Sequence, residues 1–525
     1  MKKLFTAFAA TAICAAMNAQ NPYMPLWEHI PDGEPHVYDD PDLPGHQRIY
    51  VYGSHDNRIT DYCGLDQVVW SAPVEDLTHW RYDGICFKSQ FAKNGAPLAP
   101  DSVADVLFAP DIVETVENGH KVYYFCPNNQ AEGRKNMIAK GNRPDGPFQV
   151  CNWNEDGRST FGVFQFDPAI FRDDDGKVYG YWGFNRSYAA ELDPATMCTV
   201  KPGTKIVEDM VSGRMQEGDF RFFEASSMRK INGKYVFIYS RFTKDGEFGL
   251  PTSNYTLAYA YSNNPLGPFT YGGTLIDGRA RGKDEKGNII PTATKAGNTH
   301  GSMAQINGKW YVFYHRQTGT LEYSRQAMVA PVDVKMQGDK LIISEGEYNS
   351  EGFYTNGLDP MRRWPAGIAC YYTGPTPMKQ DYPHFYYTGS YPAATYSGDN
   401  GMDASYSLNM HHAPMVNNTA GSVIGYKYFN FNVLGKKKQA ELCLGMKPLA
   451  PEGEIVFMID SPWESKGGRV IGRLQLNKEM NGKDTEYVVP VNGLQGTKGK
   501  HALYMRFNSS VQGQSLCDFY DLMFR

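Results

Sequence analysis

Five polar residues recur just ahead of strand-like runs: Glu34 in DGEPHVY, Asp111 in FAPDIVE, Asp167 in FDPAIFR, Glu224 in FFEASSM and His300 in NTHGSMA. Four of them are carboxylates. Carboxylates gathered at one place repel one another and raise each other's pKa values, so their grouping points to catalysis or to a bound cation. Cleavage of a glycosidic bond is one chemistry such a group could perform; binding a metal or simply packing a channel are the others. One carboxylic acid protonates the leaving oxygen, and a second, ionised carboxylate activates water or attacks the sugar. The acid must keep its proton near neutral pH, which burial and a neighbouring negative charge both favour. On a strand Phe222 lies on the same face as Glu224, giving that acid an apolar wall.

The elements that position these residues are legible in the same stretches. Each residue is followed by a turn and an aromatic-rich run: GHQRIYVYGS, NGHKVYYFC, DDGKVYGYWG, INGKYVFIYS and INGKWYVFYHR. Each run reads as the second strand of a hairpin. The polar positions are spaced about 55 to 80 residues apart, which suits four-stranded blades and predicts a five-bladed β-propeller. Its inner strands would line a channel, so residues at their starts converge on one end. The composition agrees with an all-β protein: aromatic residues make up 14% of the chain, with 35 Tyr and 53 Gly. The Asp173–Gly176 acidic run reads as a hairpin turn. A net charge of −5 offers nothing to a polyanion, which argues against nucleic acid as a partner.

Taken together and in order, GEPHVY, FAPDIVE, FDPAIFRDDDGKVYGYWG, FFEASSMRKINGKYVFIYS and THGSMAQINGKWYVFYHR resemble glycoside hydrolase family 43. The resemblance spans roughly residues 21–345. It implies an inverting mechanism with Glu34 as general base, Asp167 as the residue that tunes and orients the acid, and Glu224 as general acid. It also implies that Phe108 stacks on a sugar, that His300 helps hold an ion or water in the channel, and that Arg325 hydrogen-bonds the sugar. The family's base is usually Asp and its FAPD phenylalanine often Trp. Glu34 is one methylene longer, and nearby Asp32 is the alternative base. The implied activity is exo-hydrolysis of α-L-arabinofuranosyl or β-D-xylosyl linkages in plant cell-wall polysaccharide. The alternatives are a galactan-cleaving enzyme on the same fold, or an inactive polysaccharide-binding protein. No cofactor is required and no metal ligands are assigned.

The ends of the chain carry separate expectations. Residues 1–19, MKKLFTAFAATAICAAMNA, have the two lysines, apolar stretch and small terminal residues of a signal peptide, which predicts a periplasmic or secreted protein. Beyond it no apolar run is long enough for a membrane span. The chain has 525 residues, too many for one core. The propeller is expected over residues 20–345, a linker over 346–365 and a β-sandwich over 366–525. The runs SVIGYKYFNFN, GRVIGRLQL and GKHALYMRFNSS resemble carbohydrate-binding module family 6, in which Tyr371, Tyr372, Phe385 and Tyr386 are candidate sugar platforms. A structural calcium is what this resemblance of the C-terminal part to carbohydrate-binding modules implies. The eight cysteines of the mature chain lack the close pairs of a zinc site.

Overall fold

A computed structural model describes residues 20–57, 62–89, 91–98, 105–293, 298–317, 325–375, 379–381, 384–386, 391–394 and 414–525. The signal-peptide expectation therefore lies outside the described residues. Four antiparallel sheets of four strands follow one another, each built in sequence order. Blade 1 runs Glu34–Asp39, Gln47–Tyr52, Asp66–Pro73, Arg81–Lys88. Blade 2 runs Asp111–Glu117, His120–Cys126, Ala139–Gly141, Gln149–Val150. Blade 3 runs Ala169–Arg172, Val178–Trp182, Tyr188–Leu192, Val207–Glu208. Blade 4 runs Phe222–Ile231, Lys234–Arg241, Thr256–Ser262, Thr270–Asp277. Among the described residues blade 5 has three strands, Ser302–Ile306, Lys309–Gln317 and Arg325–Val332. The first strand of each blade is the inner one.

The ring closes through an N-terminal segment. The Tyr23 N–H donates to the Ala327 carbonyl at 3.3 Å. The Asn21 amide donates to the Val329 carbonyl at 2.8 Å and accepts the Val329 N–H at 3.0 Å. Residues 21–23 thus run along the free edge of blade 5.

Five apolar clusters, one between each pair of adjacent blades, establish the five-bladed propeller. The second strand of each blade has two buried faces, and its side chains alternate between them. In Lys234–Arg241, Val236 and Ile238 pack toward blade 5, while Phe237 and Tyr239 pack toward blade 3. That is why the second strands read as unbroken aromatic and β-branched runs. The cluster between blades 5 and 1 also takes in Tyr23, Trp27 and Phe353, so Trp27 serves the ring closure.

The segment expected as a linker is packed rather than free. Tyr348 enters the cluster between blades 4 and 5, and Leu358 enters the core of the C-terminal domain. That domain is a β-sandwich. One sheet contains Met415–Val416, Cys517–Phe524, Ala440–Pro448 and Thr485–Val491. The other contains Tyr371–Thr373, Val423–Asn430, Lys500–Asn508, Gly453–Ile459 and Arg469–Leu476. Their inner faces share one core, including Tyr426, Phe457, Leu503, Leu444 and Phe519. Tyr371 and Tyr372 are buried and so cannot serve as sugar platforms. The side chains of Phe385 and Tyr386 lie outside the described residues. The eight cysteines are free, and all but Cys151 are buried. Among the described residues no helix is long and apolar enough to cross a membrane.

Candidate active site

A cavity of about 190 Å³ opens where the five inner strands begin. Each blade contributes from the approach to, or the start of, its inner strand. Asp32 comes from blade 1, Phe108 and Ala109 from blade 2, Phe166 and Asp167 from blade 3, Glu224 from blade 4, and Asn298 and His300 from blade 5. Tyr62, Cys63 and Arg325 complete the wall. Of the residues assigned from sequence, Asp167, Glu224, Phe108, His300 and Arg325 therefore meet in one cavity.

Local backbone geometry aims the acids. Asp32 and Asp167 lie two residues ahead of their strands in left-handed conformation, φ 61° and 48°. Non-glycine residues adopt that conformation at a cost and cluster at functional sites. Glu224 lies inside a bulged stretch, with register shifts against Lys234–Arg241 on both sides of it. A bulge redirects side chains. Phe222 accordingly packs into the core between blades 3 and 4, while Glu224 turns to the cavity.

Glu34, the expected base, is not in the cavity wall. It is 1% exposed and lies further along the channel, where its carboxylate is gripped by the Arg229 guanidinium and accepts from Ser227 Oγ at 3.0 Å. His36, on the same strand face, lies 3.1 Å from Asp111. Asp111 also accepts the Ile170 N–H at 2.8 Å, so it too sits below the cavity. The reason is register. Strand alternation carries Glu34 and His36 down the channel, and the cavity position falls two residues earlier, on Asp32.

Asp32 is strongly held. Arg325 Nη1 donates to its Oδ1 at 3.1 Å, Ser54 Oγ donates to Oδ2, and its N–H donates to His315 Nδ1 at 3.1 Å. Burial would raise its pKa, but Arg325 and His315 outweigh burial and hold it well below the ordinary carboxylate range. Arg325 is in turn fixed by Asp56, which accepts from Nε and Nη2 at 2.8 Å each, and the guanidinium stacks 4.8 Å from the Tyr62 ring centroid.

The other two acids move the opposite way. Burial, then the negative charges of Asp167 and Asp32, push Glu224 well above its usual value. Asp167 is also raised, by burial and by Asp32. Asp167 accepts from Asn128 Nδ2 at 2.7 Å and from the Ala225 N–H at 2.9 Å, and two donors favour its anion. The shared proton therefore belongs on Glu224. His300, with Nδ1 3.7 Å from Asp167, is lowered to about 4 by burial and is neutral at pH 7.

The sequence profile of glycosyl hydrolases family 43 matches residues 35–339. The chain belongs to that family. A xylosidase/arabinosidase of Thermoclostridium stercorarium is 29% identical over 522 residues, covering 95% of this chain and 98% of the relative. A beta-xylosidase of Xylanibacter ruminicola is 30% identical over 232 residues, 38% of this chain and 63% of the relative. The crystal structure of a family 43 arabinoxylan arabinofuranohydrolase from Bacillus subtilis superposes with a TM-score of 0.47 at 18% identity, covering 97% of this chain and 99% of that one.

This family 43 chain is a glycoside hydrolase acting on O-glycosyl bonds, and the geometry above belongs to that chemistry. The residues that sequence reasoning missed are Asp56, Asn128, Asn298, His315 and Tyr62. They come from loops and strand ends far apart in the chain, and no local pattern marks them. For a metal ion, Glu34, His36 and Asp111 could present atoms within 4.8 Å of one another. Arg229 already brings a positive charge there, so the group does not fit a cation well. Among the described residues the C-terminal domain gathers no such trio for a calcium ion.

Proposed function

We propose that this enzyme is an inverting exo-glycosidase that removes terminal α-L-arabinofuranosyl or β-D-xylosyl units from plant cell-wall polysaccharide, with Asp32 as base. The observation that carries the mechanism is the opposite bias of two acids in one cavity. Asp32 is kept ionised by Arg325, and Glu224 is kept protonated by burial and by Asp167. Glu224 gives its proton to the glycosidic oxygen as the bond to the anomeric carbon breaks. Water attacks that carbon from the other face and passes a proton to Asp32. The product has inverted configuration, and exchange with solvent restores both acids. Asp167 orients Glu224 and favours its protonated form.

A cavity of about 190 Å³ is smaller than the roughly 300–1,000 Å³ of drug-sized sites and suits one terminal sugar. The pentose assignment is supported by the relative from Thermoclostridium stercorarium, which spans nearly the whole chain. The galactan and binding-protein alternatives draw their support from Glu34 standing where the family's base is usually Asp. With Asp32 in the cavity, that reason falls away. Residues 1–19 are proposed to direct export. The C-terminal sandwich is proposed to be a carbohydrate-binding-like module, using surfaces other than Tyr371 and Tyr372.

The test is proton NMR of the mature protein acting on nitrophenyl arabinofuranoside, xyloside and galactoside, recording the sugar released and its first-formed anomer. An inverted pentose is expected. A retained product would turn Asp32 from base into nucleophile, and release of galactose alone would overturn the pentose assignment.

A further inference from the structure

A row of phenylalanines leaves the cavity and runs out across blades 3 and 4. Phe108 and Phe166 line the cavity, with centroids 5.9 Å apart. Phe184 follows at 5.2 Å from Phe166, and Phe223 at 5.1 Å from Phe184. Phe223 then meets the buried Phe242 at 4.7 Å, and Arg214 caps that ring at 4.2 Å. Phe184, in the bend between Val178–Trp182 and Tyr188–Leu192, is 51% exposed. A lone exposed aromatic needs no explanation, but a continuous row that starts inside a catalytic cavity does.

The row has a direction. Phe223 immediately precedes Glu224, so the row lies on the acid's side of the cavity. Asp32, Arg325 and Tyr62 form a separate part of the wall. The leaving group of an inverting hydrolase departs on the side of its acid. We infer that Phe184 and Phe223 form a platform for the leaving-group sugars, a chain of pyranose units whose apolar C–H faces stack on the exposed Phe184 ring and the half-buried Phe223 ring beside it. This inference rests on the proposed roles of Glu224 and Asp32. It adds that the enzyme reads the polymer beyond the bond it cuts. Energy gained on these remote sugars can be expressed in the rate as well as in affinity.

The test compares Phe184→Ala with wild type on xylo-oligosaccharides of two to five units and on arabinose-substituted xylo-oligosaccharides. Phe184 does not line the cavity. The variant is expected to lose about tenfold in kcat/KM on the longer substrates and little on the disaccharide. Phe184→Trp should restore or exceed the wild-type value. An equal loss at every length, or none at any length, would overturn the platform. A second readout is independent of turnover: calorimetric affinity of Glu224→Gln for the pentamer, with and without Phe184→Ala. If wild type releases no sugar but the added substitution weakens binding about tenfold, the hydrolase roles fail and the platform stands. Equal affinity of the two variants would remove the platform.

Discussion

Two polar clusters are stacked along the same channel, and they use nearly the same residue types. The upper one holds Asp32, Asp167, Glu224, His300 and Arg325 around the cavity. The lower one holds Glu34, Asp111, His36 and Arg229, with Ser227 and Ser302 bonded to each other at 2.7 Å. In the lower cluster Arg229 is saturated. It grips Glu34 and donates to the carbonyls of Met303 at 2.9 Å, Met228 at 2.8 Å and Pro35 at 3.0 Å. It ties the inner strands of blades 4, 5 and 1 together. In the upper cluster one arginine serves Asp32 and Asp56, and leaves Asp167 and Glu224 to compete for a proton beside open space. Buried acids thus become a structural clamp where an arginine and hydrogen bonds close them in, and a reactive site where two of them border an open cavity.

The largest expected effect tests which acid belongs to which cluster. Asp32→Asn and Glu224→Gln should each lower kcat by about a thousandfold or more, measured as pentose release. Glu34→Gln should keep most of the turnover. A Glu34→Gln enzyme as inactive as Glu224→Gln, with its fold intact by circular dichroism, would return the base to Glu34 and merge the two clusters.

Stability should report the reverse order. Glu34→Gln leaves the Arg229 charge without its carboxylate in a buried setting. A loss of roughly 3 kcal/mol is expected in a denaturant titration, given that one partner of a buried ion pair is removed. Asp32→Asn should destabilise less, because Arg325 keeps both hydrogen bonds to Asp56. If Asp32→Asn proved the more destabilising of the two, the upper cluster would be carrying the structural load assigned here to the lower.

The fold was legible because every blade is buried on both faces. That requirement writes itself into runs such as YVFIYS and VYGYWG, and a local pattern is enough to see it. Glu224 and Asp167 were legible for the same reason, since each stands at the entry to an inner strand. The base was not. DGEP and FDPA both place an acid before a proline, yet the proline is displaced: Pro168 precedes its strand, whereas Pro35 lies inside one, so Asp32 and not Glu34 takes the place that Asp167 has in blade 3. Asp32 takes the left-handed conformation, Gly33 packs so close that an added Cβ would lie 3.2 Å from Val51 Cγ1, and the strand starts at Glu34. Likewise FAPD and FDPA look like one repeat with its letters shuffled. Aligned on Phe108 and Phe166, however, Ala109 matches Asp167, and Asp111 falls two residues deeper. A two-residue offset preserves strand alternation, so neither composition nor periodicity exposes it. Asp56, which holds Arg325, was invisible because their contact spans most of the propeller sequence.

The smallest expected effect is the most discriminating about charge. Activity requires protonated Glu224, so kcat/KM should fall on the alkaline side as Glu224 loses its proton. Burial is the main cause of the raised pKa and Asp167 the next. Asp167→Asn removes the second cause and leaves the first. The alkaline limb should therefore move to lower pH, by about one unit, without reaching the value of a free glutamate. The rate at the optimum should also drop, because Asn cannot accept from both Asn128 and the Ala225 N–H as the carboxylate does. Asp111→Asn, the matching change in the lower cluster, should move the limb far less, because Asp111 is not among the main charges acting on Glu224. A limb that stays fixed or rises in Asp167→Asn would show that Asp167 is neutral in the working enzyme. The proton would then reside on Asp167, and Glu224 would not be the acid.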